Sequence, residues 1–173
     1  MGAVLSDLKT ALCMAAELCL RLLIHPRMRA HCLGLLGARI GRNVRIYECR
    51  FINLRNGFSN LRIGDDVHVG TDCLIDLQGP VHIGSGTVLA PRVTLMSHSD
   101  PGSAHGSSLC ARWPAEALGV VIGKGCWIGA GTTILSAAVV EDGVVVGAAA
   151  LVRGVLKAGT LCAGVPARPI GRI

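Results

Sequence analysis

Ile122-Gly-Lys-Gly-Cys-Trp-Ile128-Gly-Ala-Gly-Thr-Thr-Ile134 places a large aliphatic at every sixth position, with a glycine after each of the first two. The spacing continues through Val140, Val146 and Val152. It also runs back through the triplets Ile83, Leu89, Leu95; Ile63, Val69, Ile75; and Ile40, Ile46, Ile52. Four residues after the aliphatic a small or β-branched residue is usual, as at Val67, Cys73, Thr87, Cys126 and Thr132. A six-residue period matches neither the 3.6-residue repeat of an amphipathic helix nor the two-residue alternation of a half-buried strand. It fits short strands joined by tight corners, where Gly, Asn and Asp supply unusual backbone angles.

The breaks in phase sharpen this reading. Five extra residues separate Ile52 from Ile63, two separate Ile75 from Ile83, and 21 separate Leu95 from Ile122. Each break follows a complete set of three hexads, so three hexads make one triangular coil and all insertions leave from one corner. The expected fold is therefore all-β: a parallel β-helix of about five triangular coils (40–52, 63–75, 83–95, 122–134, 140–152), stacked about 4.8 Å apart. Handedness does not follow from the repeat, and the ordinary rule for parallel crossovers favours a right-handed path. The expected organisation is an N-terminal helical arm over 1–36, a β-helix over 37–157 with a protruding loop at 97–120, and an extended tail over 158–173, held from helix by Pro166 and Pro169.

The arm reads as a helix over 4–25, capped by Ser6 or Asp7 and ended by Pro26, followed by a short second helix over 26–36. Ser6, Thr10, Glu17 and Arg21 form a polar stripe, with Glu17 and Arg21 spaced for an ion pair. The remainder, including Leu5, Leu8, Leu12, Ala15, Cys19 and Leu22, is a wide apolar face. That face is expected to pack on the domain or a neighbouring subunit, and a second reading gives it weak contact with a membrane surface.

With 173 residues, the chain suffices for one domain with a full core. Its residues are 51% hydrophobic but only 3% aromatic, so the core is built from narrow aliphatic layers. The formal charge of +6 suits a polyanionic small molecule, a membrane surface or nucleic acid. Nucleic acid is disfavoured, because the basic residues are scattered and few aromatic rings are available for stacking. No stretch is long and apolar enough for a spanning helix, and no secretory signal begins the chain, so a cytoplasmic location is expected. The Met1-Gly2 start resembles a myristoylation signal over too short a match to act on. Eight cysteines without a Cys-x-x-Cys pair read as free thiols.

The long loop opens with Leu95-Met-Ser-His98-Ser-Asp100-Pro101. Insertions of this length in a solenoid are commonly functional, and a histidine on a rigid wall is suited to general-base work. Asp76, one coil earlier and on what reads as the adjacent stack, is placed to bind an acceptor hydroxyl or orient the imidazole. Asp72 and Asp100 are further candidates, and Trp127 reads as a wall beside the loop. Three histidines can hold zinc in such a prism, as in the γ-class carbonic anhydrases, but here no two histidines are five apart and no metal is expected.

Together, the Ile-Gly hexads, the His-bearing loop, Cys126-Trp-Ile-Gly-Ala130 and the ending Ala163-Gly-Val-Pro-Ala-Arg168 resemble the hexapeptide-repeat acyltransferases. The galactoside, maltose, xenobiotic and polysaccharide O-acetyltransferases are the nearest in pattern, over about residues 37–173. The resemblance implies a left-handed parallel β-helix, a homotrimer with sites between subunits, and acetyl-CoA as co-substrate along the coils. It makes His98 the catalytic base, Asp76 an acceptor-binding aspartate and Trp127 the tryptophan beside the loop. Ala130 and Ala148 would flank the pantetheine arm, with Arg168 near the nucleotide phosphates. Arg153 replaces a Thr-Lys pair of the family, Thr71 or Asp72 replaces an asparagine, and Arg172 is offset by one. The implied reaction is O-acetylation of a sugar, polysaccharide precursor or natural product. N-acetylation of an amino sugar, a metal hydratase and a non-catalytic scaffold are the alternatives.

Overall fold

The computed structural model describes residues 2–173. Met1, half of the Met-Gly motif, lies outside the described residues. From Arg39 the chain winds a three-sided prism. Its first face stacks Arg39–Ile40, Leu61–Ile63, Val81–Ile83, Val120–Ile122, Val139–Val140 and Val155–Leu156. The second stacks Arg45–Ile46, His68–Val69, Val88–Leu89, Trp127–Ile128, Val145–Val146 and Thr160–Ala163. The third stacks Cys49–Ile52, Cys73–Asp76, Thr94–Leu95, Thr133–Ile134 and Leu151–Val152.

Parallel pairing puts each repeat aliphatic above its counterpart: Ile40 on Ile63, Val69 on Leu89, Leu95 on Ile134. All but the capping Ile40 of these are buried, and each fully buried aliphatic stabilises the fold by about 1.5–3 kcal/mol. Corners carry columns of left-handed backbone. The corner between the first and second faces stacks Asn43, Asp66, Gly86, Gly125, Gly143 and Gly159, all at φ between 54° and 71°. The glycine after the aliphatic has a different reason. A Cβ on Gly84 would lie 2.5 Å from the backbone of Gly123 in the next coil.

Several expectations change. Five complete coils are followed by a partial sixth, Val155–Leu156 and Thr160–Ala163, against which Arg168–Arg172 folds back antiparallel. In the first coil Phe51, not Ile52, sits in the core, paired with Ile75. Its second corner is one residue shorter than in the next coil, since Cys49 aligns with Cys73 while Ile46 aligns with Val69. Finally, α1 (Gly2–Leu22) starts before Ser6 and stops short of residue 25, while Pro26 opens α2 (Pro26–Leu35) at a position where proline's missing N–H costs nothing.

The arm's polar stripe faces the prism. Glu17 accepts a hydrogen bond from the Phe51 N–H (3.2 Å), and Arg21 pairs with Glu48 (3.4 Å) rather than with Glu17. The first coil has no coil beneath it, so its edge groups need other partners, and the helix side chains supply them. Buried Arg29 of α2 donates to the carbonyls of Leu20, Leu23 and Ile46, tying both helices to the first coil. All eight cysteines are free, and burial pushes the Cys73 thiol up to about 11, in keeping with a packing role for that residue.

Candidate active site

The three insertions all leave the corner between the third and first faces. Residues 53–60, Gln78–Pro80 and the loop after Leu95 are stacked there in consecutive coils. Asp76 lies at the end of the third-face strand of the second coil. It is on the same face as His98, not on the adjacent one, because Ile75 and Leu95 are register partners. Between Ile75 and Leu77, both fully buried, the Asp76 side chain is itself 0% exposed.

A buried carboxylate without a cation is costly unless its oxygens are hydrogen-bonded. Asp76 is fully supplied. Oδ2 accepts from the backbone N–H of Ser97 (2.8 Å) and His98 (3.0 Å), from Ser97 Oγ (2.8 Å) and from His98 Nδ1 (2.5 Å). Oδ1 accepts from Asn53 Nδ2 (2.9 Å) and the Gln78 N–H (3.1 Å). Burial pushes the Asp76 carboxyl up, but bonds from His98, Asn53, Ser97 and Gln78 outweigh it and hold the group below its ordinary value. An ionised carboxylate only accepts, so Nδ1 of His98 donates this bond, and in the neutral ring Nε2 carries the lone pair. The imidazole is 22% exposed at the neck of the loop.

Ser97 locks that neck. Its Oγ also accepts from the Gly79 N–H (2.9 Å), and its carbonyl accepts from the Gly119 N–H and Ser136 Oγ (both 2.9 Å). Ser99 and Glu116 exchange two backbone hydrogen bonds just above. The loop thus projects from a closed base, and His98 is held from the second, third and fourth coils. Such an arrangement suits removal of a proton from a group arriving in front of Nε2.

The other sequence candidates divide into two groups. Arg153 is exposed at the same corner as His98, two coils further on. Asp100 is exposed in the loop, and its carboxylate accepts from the Ser103 and Gly102 N–H groups and from Ser103 Oγ, so it caps a loop turn. Trp127 is 57% exposed, but on the second face, which lies opposite the His98 corner. Its expected place beside the loop is therefore not met within one chain: Trp127 precedes Ile128, a second-face residue, and only that face's outer side receives its ring. Asp72, Ala130 and Ala148 line the corner between the second and third faces. Arg168 and Arg172 are exposed on the antiparallel strand that closes the second face. Among the described residues no group of three His, Cys, Asp or Glu is disposed to hold a metal ion.

Sequence reasoning missed Asn53, Ser97, Gln78 and Ser136. Asn53, Asp76 and Ser97 each stand one or two residues past the last core apolar residue (Phe51, Ile75, Leu95) of successive third-face strands, so a polar column at that corner was the available signal.

Residues 119–154 match the family model described as bacterial transferase hexapeptide (six repeats). The chain is 36% identical over 118 residues to a protein of Escherichia coli K12 provisionally named lipopolysaccharide biosynthesis O-acetyl transferase WbbJ, covering 64% of this chain and 57% of that one. To WcaF of the same organism, provisionally named a colanic acid biosynthesis acetyltransferase, it is 33% identical over 142 residues, covering 82% of this chain and 72% of WcaF. A hexapeptide-repeat acetyltransferase of Vibrio cholerae, solved with acetyl coenzyme A, superposes with a TM-score of 0.81 at 18% identity, over 96% of this chain and 87% of that one. The prism is the left-handed parallel β-helix of these enzymes. On its repeat, its coil geometry and its identity with WcaF, the chain belongs to the hexapeptide-repeat acyltransferases.

Proposed function

We propose that this chain transfers an acetyl group from acetyl-CoA to a hydroxyl of a saccharide, polysaccharide precursor or related small molecule, with His98 as general base. The observation that carries this reading is the His98–Asp76 pair, with Nδ1 bound to a buried carboxylate and Nε2 left for the acceptor. Nε2 takes the acceptor's proton as its oxygen attacks the thioester carbonyl. The tetrahedral intermediate then collapses, the C–S bond breaks, and the thiolate leaves with the proton from the imidazolium. An ester and free CoA result, without an acyl-enzyme. Asp76 holds the imidazole in one tautomer and balances its transient charge, so it is a positioning residue rather than an acceptor ligand.

Trp127, Arg168 and Arg172 lie on the second face, opposite the His98 corner, and Ala130 and Ala148 lie at that face's edge with the third. A homotrimer that sets the second face of one subunit against the His98 corner of the next reunites them. In that assembly the alanine backbones flank the pantetheine, and the arginines, with Arg153 at the His98 corner, meet the nucleotide phosphates. Asp72 and Asp100 border the acceptor side. The names of WbbJ and WcaF support a saccharide acceptor.

Thiol release from acetyl-CoA, measured with a panel of sugar and amino-sugar acceptors, tests the reading. Removing a general base lowers turnover by about 10²–10⁴-fold, and His98→Ala is expected to fall in that range. Undiminished turnover in the variant would overturn the mechanism, and turnover with amino sugars alone would make the enzyme an N-acetyltransferase.

A further inference from the structure

The arm sits on the prism with its apolar side outward. Val4, Leu5, Leu8, Leu12, Leu18 and Leu22 of α1 are each between 56% and 76% exposed. The orientation is fixed by polar contacts: Glu17 to the Phe51 N–H, Arg21 to Glu48, and Arg29 of α2 to the carbonyls of Leu20 in α1, Leu23 in the link and Ile46 in the first coil. Rotating α1 to bury its leucines would break all three sets. Asp7 stands at one margin of the apolar arc and Lys9 at the other.

The same end of the molecule holds the positive charge. Residues 1–62 carry ten Lys/Arg and three Asp/Glu, net +7, while residues 63–173 carry seven and eight, net −1. The first coil presents one exposed arginine on each face, Arg39, Arg45 and Arg50, with Arg55 beneath α1 and Arg27 on α2. None of these five makes an ion pair among the described residues.

An apolar helix face at the cationic end of the molecule resists a second copy, whose own arginines would be brought to the same end. It suits a surface that offers hydrocarbon and negative charge together. We propose that α1 is a membrane-surface anchor, its leucine face inserting at the headgroup boundary of a bilayer that carries anionic phospholipid, with the first-coil arginines over the headgroups. No helix of the described residues is long and apolar enough to cross a membrane, so the anchor lies in the interface. The prism then stands end-on, with the opposite, closing end held away from the lipid.

Flotation of the full-length protein with phosphatidylcholine vesicles, with and without phosphatidylglycerol, tests this. Binding is expected only with phosphatidylglycerol and should weaken as ionic strength rises. Each of Arg39→Gln and Arg50→Gln should lower partitioning roughly fivefold. The combined Leu5→Ser, Leu8→Ser, Leu12→Ser variant should lose flotation while keeping its melting transition and its thiol release. Because these leucines are exposed, the variant is expected to fold, and the wild-type salt series needs no substitution. Absence of wild-type flotation, salt-independent binding, or flotation retained by the leucine variant would each overturn the proposal. So would a leucine variant that loses subunits by light scattering, since the face would then be a contact between copies.

Discussion

Asp76 shows what one residue contributes. Its six hydrogen bonds draw together Asn53, Gln78, Ser97 and His98, so a single carboxylate fixes three coils and one imidazole. Asp76→Asn removes the charge and offers an N–H where Oδ2 accepted. Turnover is expected to fall by about 10²–10⁴-fold, with the acetyl-CoA KM little changed, because the substitution disturbs the tautomer and not the cofactor groove. Stability should fall by about 2 kcal/mol at neutral pH from the bonds lost. The sign of the pH dependence follows from the depressed folded pKa. The stabilisation is present above the unfolded value, about 3.9, and is lost as pH falls through the folded value. Denaturant melts of wild type and variant should therefore differ by a constant amount at neutral pH and converge in acid below about pH 4. A gap that persists unchanged into acid would mean that the carboxylate charge contributes nothing.

At the level of the element, the coil was legible in the sequence because burial acts on a strict register. An aliphatic every six residues has only one place to go when each strand stacks on the next, and the triplet insertions mark the open corner. Gly84 tests that register. A methyl there meets the backbone of the following coil, and neither strand can yield without breaking its ladder. Gly84→Ala is expected to destabilise by about 1–3 kcal/mol, as overpacking does, whereas Gly34→Ala on α2, with nothing within 4 Å, should be neutral or stabilising. Equal melting temperatures for the two would refute close coil contact at Gly84. The arm was read less well, for a physical reason. Helical periodicity separates an apolar from a polar face but does not say which is buried. Here the unpaired edge of the first coil at Phe51 and the neighbouring Glu48 side chain favoured the polar face. The shift from Ile52 to Phe51 was equally hidden, because both are large and apolar and only a corner one residue shorter distinguishes them.

The whole molecule separates what a reaction would need together. His98 and Asp76 occupy one corner, and Trp127, which sequence position placed beside the loop, occupies the opposite face. Sequence distance misled here because a single hexad carries the chain round a corner, from the first face beside the loop to the second face opposite His98. The proposed trimer converts this separation into a measurable effect. His98→Ala removes the base from one partner in each composite site, and Trp127→Arg obstructs the other. Each homotrimer should be inactive. If the variants are unfolded together, mixed equally and refolded, subunits assort at random. A site is then intact when its histidine comes from the Trp127→Arg chain and its tryptophan from the His98→Ala chain. Each condition is met half the time, so about 25% of wild-type activity should return. Both sites within one chain would give no recovery, because each chain carries its own lesion. Recovery near a quarter would locate the active site between subunits, where the prism's two half-sites face each other.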